Sequence, residues 1–150
     1  MNLQYTFYIK ATPERIWSII TGKETKAIFH GAEIKSSFEV NEPLQYIGPG
    51  RDGEETLHIY GIVLDYIKNK RFSHTSIVGK VYKGEQPEYE STITYELEDL
   101  KFATKLTVSH SNWNENDPSY ENTKNNWWLM LSNIKTLAET NQALEIGLHE

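Results

Sequence analysis

The histidines are the side chains with the most versatile chemistry in this chain, because the sequence contains no cysteine. The absence of thiols excludes disulfide bonds, thiol catalysis and zinc–cysteine sites. The histidines are His30, His58, His74, His110 and His149. No pair has the H-x-x-x-H or H-E-x-x-H spacing that brings two imidazoles onto one helical face, although His58, His74 and His110 could converge in space. We therefore predict no metal site and no cofactor.

Tyr95 and His110 are polar residues that we expect on the buried side of a hairpin, which the alternating stretches 89–97 and 102–111 predict. In an apolar cavity each could orient a ligand through one hydrogen bond. The simpler alternative is a buried histidine that bonds a neighbouring backbone group. Ser111 follows His110 directly, and adjacent side chains on a strand point to opposite faces. This spacing argues against a serine–histidine nucleophile, and we predict no catalytic residue.

Residues 48–53 read Gly-Pro-Gly-Arg-Asp-Gly and formally match the pattern G-x-G-x-x-G. A nucleotide site needs a strand before this pattern and a helix after it, so that phosphate meets the helix N-terminus. Residues 54–60 read instead as a strand, and Pro49 removes a donor N–H. The stretch is therefore predicted to be a turn.

The net charge is −6, from 15 basic and 21 acidic residues. Binding to nucleic acid requires a basic face, and the small cluster of Lys68, Lys70 and Arg71 is better explained as a solvated hairpin tip. We predict no nucleic-acid partner, and an anionic lipid surface is disfavoured for the same reason.

No apolar stretch approaches the roughly 18–20 residues that cross a bilayer, and the first residues do not resemble a secretory signal. We therefore expect no membrane insertion and a cytoplasmic location. Hydrophobic content of 38% and charged content of 24% are typical of a globular protein. With no linker or repeat, residues 1–150 are predicted to form a single domain.

A long amphipathic helix is predicted from about Ser119 to Gln142. Asp117 is suited to accept the first free N–H groups of this helix, and Pro118 suits the first helical position. A helix with one apolar side needs a broad apolar surface to lie on. The residues at helical spacing on that side are Trp127, Met130, Leu131, Ile134, Leu137 and Ala138.

The rest of the chain is predicted to form that surface as an antiparallel sheet. Thr12 and Pro13 begin a short helix after the first strand, and a second helical turn is expected over 24–29. The four residues 98–101 are predicted to connect the strands 89–97 and 102–111, and Phe102 is expected to face inward. The predicted strands cover residues 3–9, 34–40, 44–47, 56–67, 71–81, 89–97 and 102–111. Short loops make consecutive strands antiparallel, and a sheet with helices on one face is an α+β fold.

Ala11-Thr12-Pro13-Glu14-Arg15-Ile16-Trp17 resembles the A-S-P-E-x-V-W motif of the START-like (Bet v 1-like, SRPBCC) superfamily. The similarity is to the branch named after the activator of Hsp90 ATPase. Further segments are similar to that branch's G-x-V-L-E … R-L-x-x-T strand pair, its V-T-x-x-L and T-x-L-T-L-x-H-S strands and its closing G-W-x-x-x-L-x-N-L-K-x-x-L-E-T helix. These segments are 61–65 with 71–75, 92–97, 104–111 and 127–140.

The resemblance implies a helix-grip fold, in which a curved sheet of about seven strands wraps around the C-terminal helix and encloses an apolar cavity. Asn126 replaces the glycine before the family's tryptophan, and Phe29-His30 stands where a tryptophan pair is usual. The loop 48–53 is expected to border the cavity mouth. No catalytic residue is shared across the branch, so the resemblance transfers none.

The function that follows is non-catalytic binding of a small apolar ligand, lipid-like or aromatic, between sheet and helix. Two alternatives stay open: a chaperone-interacting module like the activator of Hsp90 ATPase, and a cyclase or hydrolase that uses His110 or Tyr95. Trp113 and Trp128 could form a partner surface or a lid. The oligomeric state is not indicated. The candidate cavity residues, for each of which core packing is the alternative, are Trp17, Phe29, Tyr60, His74, Tyr95, His110, Trp127, Met130, Leu131 and Ile134.

Overall fold

A computed structural model of the protein describes residues 2–80, 84 and 87–144. Within these residues a sheet of seven strands packs against a long helix. The strands are β1 (Leu3–Ile9), β2 (Glu33–Ser36), β3 (Pro43–Pro49), β4 (Glu55–Ile67), β5 (Arg71–Val78), β6 (Glu90–Asp99) and β7 (Thr104–Ser111). The helices are α1 (Pro13–Thr21), which a 3-10 turn at Lys23–Ala27 follows, and α2 (Tyr120–Thr140).

The sheet has the order β1-β7-β6-β5-β4-β3-β2, and each neighbouring pair is antiparallel. β2 to β7 form a meander, and β1 closes the order by pairing with β7. The α+β prediction, with a curved antiparallel sheet around a C-terminal helix, is therefore confirmed.

The apolar side of α2 is buried as its spacing predicts. Leu131 and Ile134 have no exposed surface, and Trp127, Met130, Leu137 and Ala138 are also buried. At the C-terminal end, Asn141 adopts a left-handed conformation (φ 63°) and its N–H bonds the carbonyl of Leu137, which is a common way to end a helix.

The start of α2 differs from the prediction. Asp117 does not cap the helix directly, because its carboxylate accepts the N–H and the hydroxyl of Ser119, at 2.9 and 2.7 Å. This local turn places Pro118 before the helix, which begins at Tyr120. The short polar side chain thus closes its own turn instead of the helix.

Two strands differ in their bounds from the prediction. The strand predicted at 102–111 begins later, at Thr104, and the strand predicted at 34–40 ends earlier, at Ser36. Phe102, predicted to face inward, is 76% exposed, because it lies in a turn closed by a hydrogen bond between Leu100 N–H and the Ala103 carbonyl. β2 ends at Ser36, and Val40 is exposed. The predicted end of β5 at residue 81 lies outside the described residues.

Asn133 is a fully buried polar residue on the core side of α2. Its amide nitrogen donates to the Ala27 carbonyl at 3.0 Å, and its amide oxygen accepts the N–H of Leu144 at 2.7 Å. One side chain thereby connects the helix to the 3-10 turn and to the chain that follows the helix.

Replacing Asn133→Ala is expected to lower the free energy of unfolding by about 2–4 kcal/mol, because two backbone groups lose their partners. Urea denaturation would measure the change, with Asn125→Ala on the exposed side of α2 as the matched control. Equal losses in the two variants would show that the bonds of Asn133 contribute nothing specific.

Candidate functional site

A cavity of about 520 Å³ lies between the sheet and the N-terminal half of α2. Its walls are mostly apolar, and it is partly open to the surface. The strands contribute Tyr46, His58, Ile59, Ser76, Val78, Ser91, Ile93 and His110. The helix contributes Asn122, Thr123, Asn126, Trp127 and Met130, and the connecting segments contribute Phe29, His30, Ala32, Pro87, Tyr89, Trp113, Asp117, Pro118 and Ser119.

Some of the predicted cavity residues line this space and others lie beyond it. Those on the wall are Phe29, His110, Trp127 and Met130. Those buried in the core, away from the described lining, are Trp17, His74, Tyr95, Leu131 and Ile134. The position of these five residues matches the alternative given for them, which was ordinary packing in the core.

Tyr60 belongs to β4 but is not among the described residues that line the cavity. The Tyr60 hydroxyl donates to Glu88 at 2.6 Å, and this bond helps to raise its pKa to about 12. The structure thus places Tyr60 outside the described lining of the cavity.

The glycine-rich stretch forms a turn, as predicted, and none of residues 48–53 is among the described residues that line the cavity. β3 continues to Pro49, the N–H of Gly50 bonds the carbonyl of Glu54, and β4 begins at Glu55. A strand therefore follows the stretch where a nucleotide site would need a helix.

His110 is the centre of a directed chain of hydrogen bonds on the cavity wall. The indole N–H of Trp127 donates to His110 Nδ1 at 3.0 Å, so Nδ1 carries no proton. In the neutral ring the proton is then on Nε2, which lies 2.7 Å from the hydroxyl oxygen of Ser91 and donates to it. Trp113 packs its ring 4.2 Å from the imidazole, centroid to centroid.

Burial lowers the pKa of His110 to about 3, and repulsion from His74 contributes to the same shift. The imidazole is therefore neutral near pH 7. Protonation of Nδ1 would also direct an N–H at the Trp127 N–H, which has no acceptor to offer. The tautomer and the charge of His110 are both determined by its surroundings.

This tautomer disfavours nucleophilic catalysis by Ser91. A serine nucleophile needs an imidazole nitrogen that accepts its proton. In this chain the nitrogen next to Ser91 already carries a proton and donates it. The distance between Ser91 and His110 is that of a catalytic serine–histidine pair. The direction of the hydrogen bond is the opposite one, because here the histidine donates and the serine accepts.

A second buried histidine lies deeper in the core. His74 Nδ1 donates to the Thr75 carbonyl at 2.7 Å, which leaves Nε2 as the acceptor facing the Tyr46 hydroxyl at 3.4 Å. Burial lowers the pKa of His74 to about 4.

The Tyr95 hydroxyl is also buried and has no hydrogen-bond partner in the described part of the chain. Burial, followed by the proximity of Tyr46, raises the pKa of Tyr95.

The two tryptophans considered as a joint surface have different neighbours. Trp113 lines the cavity and donates its indole N–H to the His110 carbonyl at 3.0 Å. Trp128 is 56% exposed and packs edge-on against Tyr5 of β1, with ring centroids 4.9 Å apart. Of the two, Trp113 is therefore the one that lines the cavity.

Residues 2–80, 84 and 87–144 contain no group of three or more histidine and acidic side chains arranged to hold a metal ion. In the same ranges no helix has the length and apolar character needed to cross a membrane.

A sheet that grips a long C-terminal helix, with a cavity between them, defines the START-like helix-grip class of proteins. The family described as activator of Hsp90 ATPase homolog 1-like protein matches residues 10–139, and the chain belongs to this family. No curated protein shows significant similarity to the chain.

Solved structures share the fold at low sequence identity. The Aha1 dimer from Colwellia psychrerythraea is 22% identical with a TM-score of 0.70, and the match covers 95% of this chain and 99% of that one. Protein MLL2253 from Mesorhizobium loti is 17% identical with a TM-score of 0.72, over 91% and 96% of the two chains. A protein from Arthrobacter aurescens is 15% identical with a TM-score of 0.74, over 99% and 92%. At these identities the likeness establishes the fold alone.

Proposed function

We propose that this protein binds a small apolar ligand, lipid-like or aromatic, without catalysing a reaction on it. The observation that carries the proposal is the cavity of about 520 Å³ beside Trp127. Ligand sites in proteins typically have volumes of roughly 300–1,000 Å³ and apolar walls with a few placed polar groups. Phe29, Trp113 and Met130 give this cavity such a wall, and Ser91 and His110 are among its polar groups.

The proposed absence of catalysis is supported by the direction of the Ser91–His110 hydrogen bond. Neither of the two buried histidines is in a state suited to accept a proton from a neighbouring hydroxyl and then release it near pH 7, since burial keeps the pKa values at about 3 and about 4. We also propose a cytoplasmic location, which the family assignment and the cysteine-free sequence support.

Native mass spectrometry on protein purified from its own host is the experiment that tests binding. We expect an adduct of a small molecule that disappears after denaturation. Thr123→Trp, which adds a large ring to the cavity wall, is expected to abolish the adduct. Asn125→Trp, on the exposed side of the same helix, is expected to keep it. An adduct that both variants keep would place the ligand elsewhere, and its absence from the natural protein would contradict the proposal.

A second candidate function is interaction with a chaperone, which the family description favours because it names the activator of Hsp90 ATPase. The discriminating measurement is the rate of ATP hydrolysis by the Hsp90 of the same host, with and without the added protein. Ligand binding alone predicts no change in this rate. A several-fold stimulation that the Thr123→Trp variant retains would favour the chaperone function over the cavity.

A further inference from the structure

We infer that the Ser91 hydroxyl is an oriented hydrogen-bond donor inside the cavity, and that the ligand is an uncharged molecule which presents an acceptor, such as a carbonyl oxygen, to it. This inference rests on the proposed function and adds the chemical class of the ligand and a residue that determines specificity.

The direction of the hydrogen bonds leaves the Ser91 proton unused. An indole N–H only donates, so Trp127 makes His110 Nδ1 an acceptor and Nε2 a donor. Ser91 Oγ therefore receives a hydrogen bond and retains its own proton. The described residues show no acceptor for that proton, although Ser91 lines the cavity and is only 5% exposed.

An unused donor at a buried position is unfavourable, and it is satisfied best by an acceptor on a bound molecule. The alternative orientation, in which Ser91 donates to His110, would require the other tautomer. That tautomer would direct His110 Nδ1–H at the Trp127 N–H. The tryptophan thus determines, through the imidazole, which chemical group the serine recognises.

The charges around the cavity favour an uncharged ligand. Among the described residues that line it there is no lysine or arginine to pair with a carboxylate or phosphate, and the two further histidines of the lining, His30 and His58, already have interactions of their own. Asp117 is the carboxylate on the lining, and the backbone and hydroxyl of Ser119 already bond it. A charged group buried without a partner is costly, and the net charge of −6 further disfavours an anion.

Three fluorescent probes of one size separate these features. The first is a neutral dimethylaminonaphthalene that carries a propionyl ketone, the second carries a propyl chain in place of the ketone, and the third is the corresponding naphthoate. Each is titrated into the natural protein, into Ser91→Ala, and into Ser109→Ala as the matched control. Ser109 lies one residue before His110 in the same strand, so its side chain points to the opposite face.

We expect Ser91→Ala to weaken binding of the ketone by about 3- to 10-fold, the equivalent of one net hydrogen bond. The propyl probe should change by less than about twofold, since it makes no such bond. Ser109→Ala should leave both affinities unchanged. The naphthoate should bind the natural protein more weakly than the ketone does.

The outcomes separate this inference from the proposal on which it rests. If the ketone and propyl probes bind but respond equally to Ser91→Ala, the oriented donor is wrong and the binding function stands. If the naphthoate binds most tightly, the uncharged class of ligand is wrong. If neither neutral probe binds the natural protein, both the inference and the proposed binding function are contradicted.

Discussion

Lowering the pH from about 7.5 to about 5 is expected to reduce the free energy of unfolding by roughly 3–4 kcal/mol through His74 and His110 alone. Both are buried, and desolvation lowers their pKa values to about 4 and about 3. In the unfolded chain the pKa of a histidine is about 6.5. Between these values the unfolded state binds protons that the folded state does not.

The sign of the effect follows from this difference in bound protons. Stability rises with pH wherever the unfolded state binds more protons. The contribution of the two histidines is therefore complete above about pH 6.5 and is lost progressively as the pH falls toward 4 and below. At about pH 5 each histidine accounts for a loss of about 2 kcal/mol, from a difference of about 1.4 kcal/mol per pH unit.

Urea denaturation at several pH values measures the total effect, and NMR titration of the imidazole resonances assigns it. His110→Gln keeps a neutral amide at this position, so the slope of stability against pH should decrease by about half of the histidine contribution. The slopes of the two proteins are compared, and not their absolute stabilities, because the variant also loses packing at every pH. Imidazoles of His74 and His110 that titrate near pH 6.5 in the folded protein would contradict the burial argument.

The fold was predictable because its main elements follow simple periodicities. The apolar side of α2 and the alternation along β1 depend on local spacing, and the buried faces follow from it. Capping by Thr12 was equally local: its hydroxyl accepts the Arg15 N–H at 3.1 Å. Asp117 shows the limit of such local reasoning. Its carboxylate could accept either the first free N–H groups of α2 or the N–H and hydroxyl of Ser119 in its own turn, and only the structure shows that it does the second.

The site was predictable in part, because strand register is not a local property. A connection of residues 98–101 alone would pair Leu97 with Phe102, whereas the structure pairs Leu97 with Leu106. A change of register by an even number of residues keeps the inward and outward alternation but changes every cross-strand neighbour. His110 was therefore correctly expected to face inward, while its contact with Ser91 was missed.

The role of Trp127 was missed for a related reason. Its place on the apolar side of α2 was clear, but the direction of its indole N–H depends on how the helix crosses β7. The pairing of β3 with β4 also shifts at His58, where Tyr46 pairs with Ile59 and Ile47 with Leu57, and such a bulge carries no strong sequence signal. The polar chemistry of the cavity thus depends on long-range packing.

Leu131→Ala is expected to lower the free energy of unfolding by about 3–4 kcal/mol, within the range of about 2–5 kcal/mol for large-to-small changes in a packed core. Leu131 has no exposed surface and belongs to the core cluster between helix and sheet. Its side chain is removed from water on folding, and truncation leaves a space that close-packed neighbours fill only in part.

Leu129→Ala is the matched control, since it makes the same chemical change two residues earlier in α2. Leu129 is 43% exposed, and its truncation should cost less than about 1 kcal/mol. Urea denaturation of both variants, at a protein concentration varied over about 100-fold, measures the difference. A large loss at Leu129 that depends on protein concentration would mean that a second copy of the chain covers the outer side of α2. A small loss at Leu131 would mean that the helix is not held by burial against the sheet, and the cavity beneath it would then have no fixed wall.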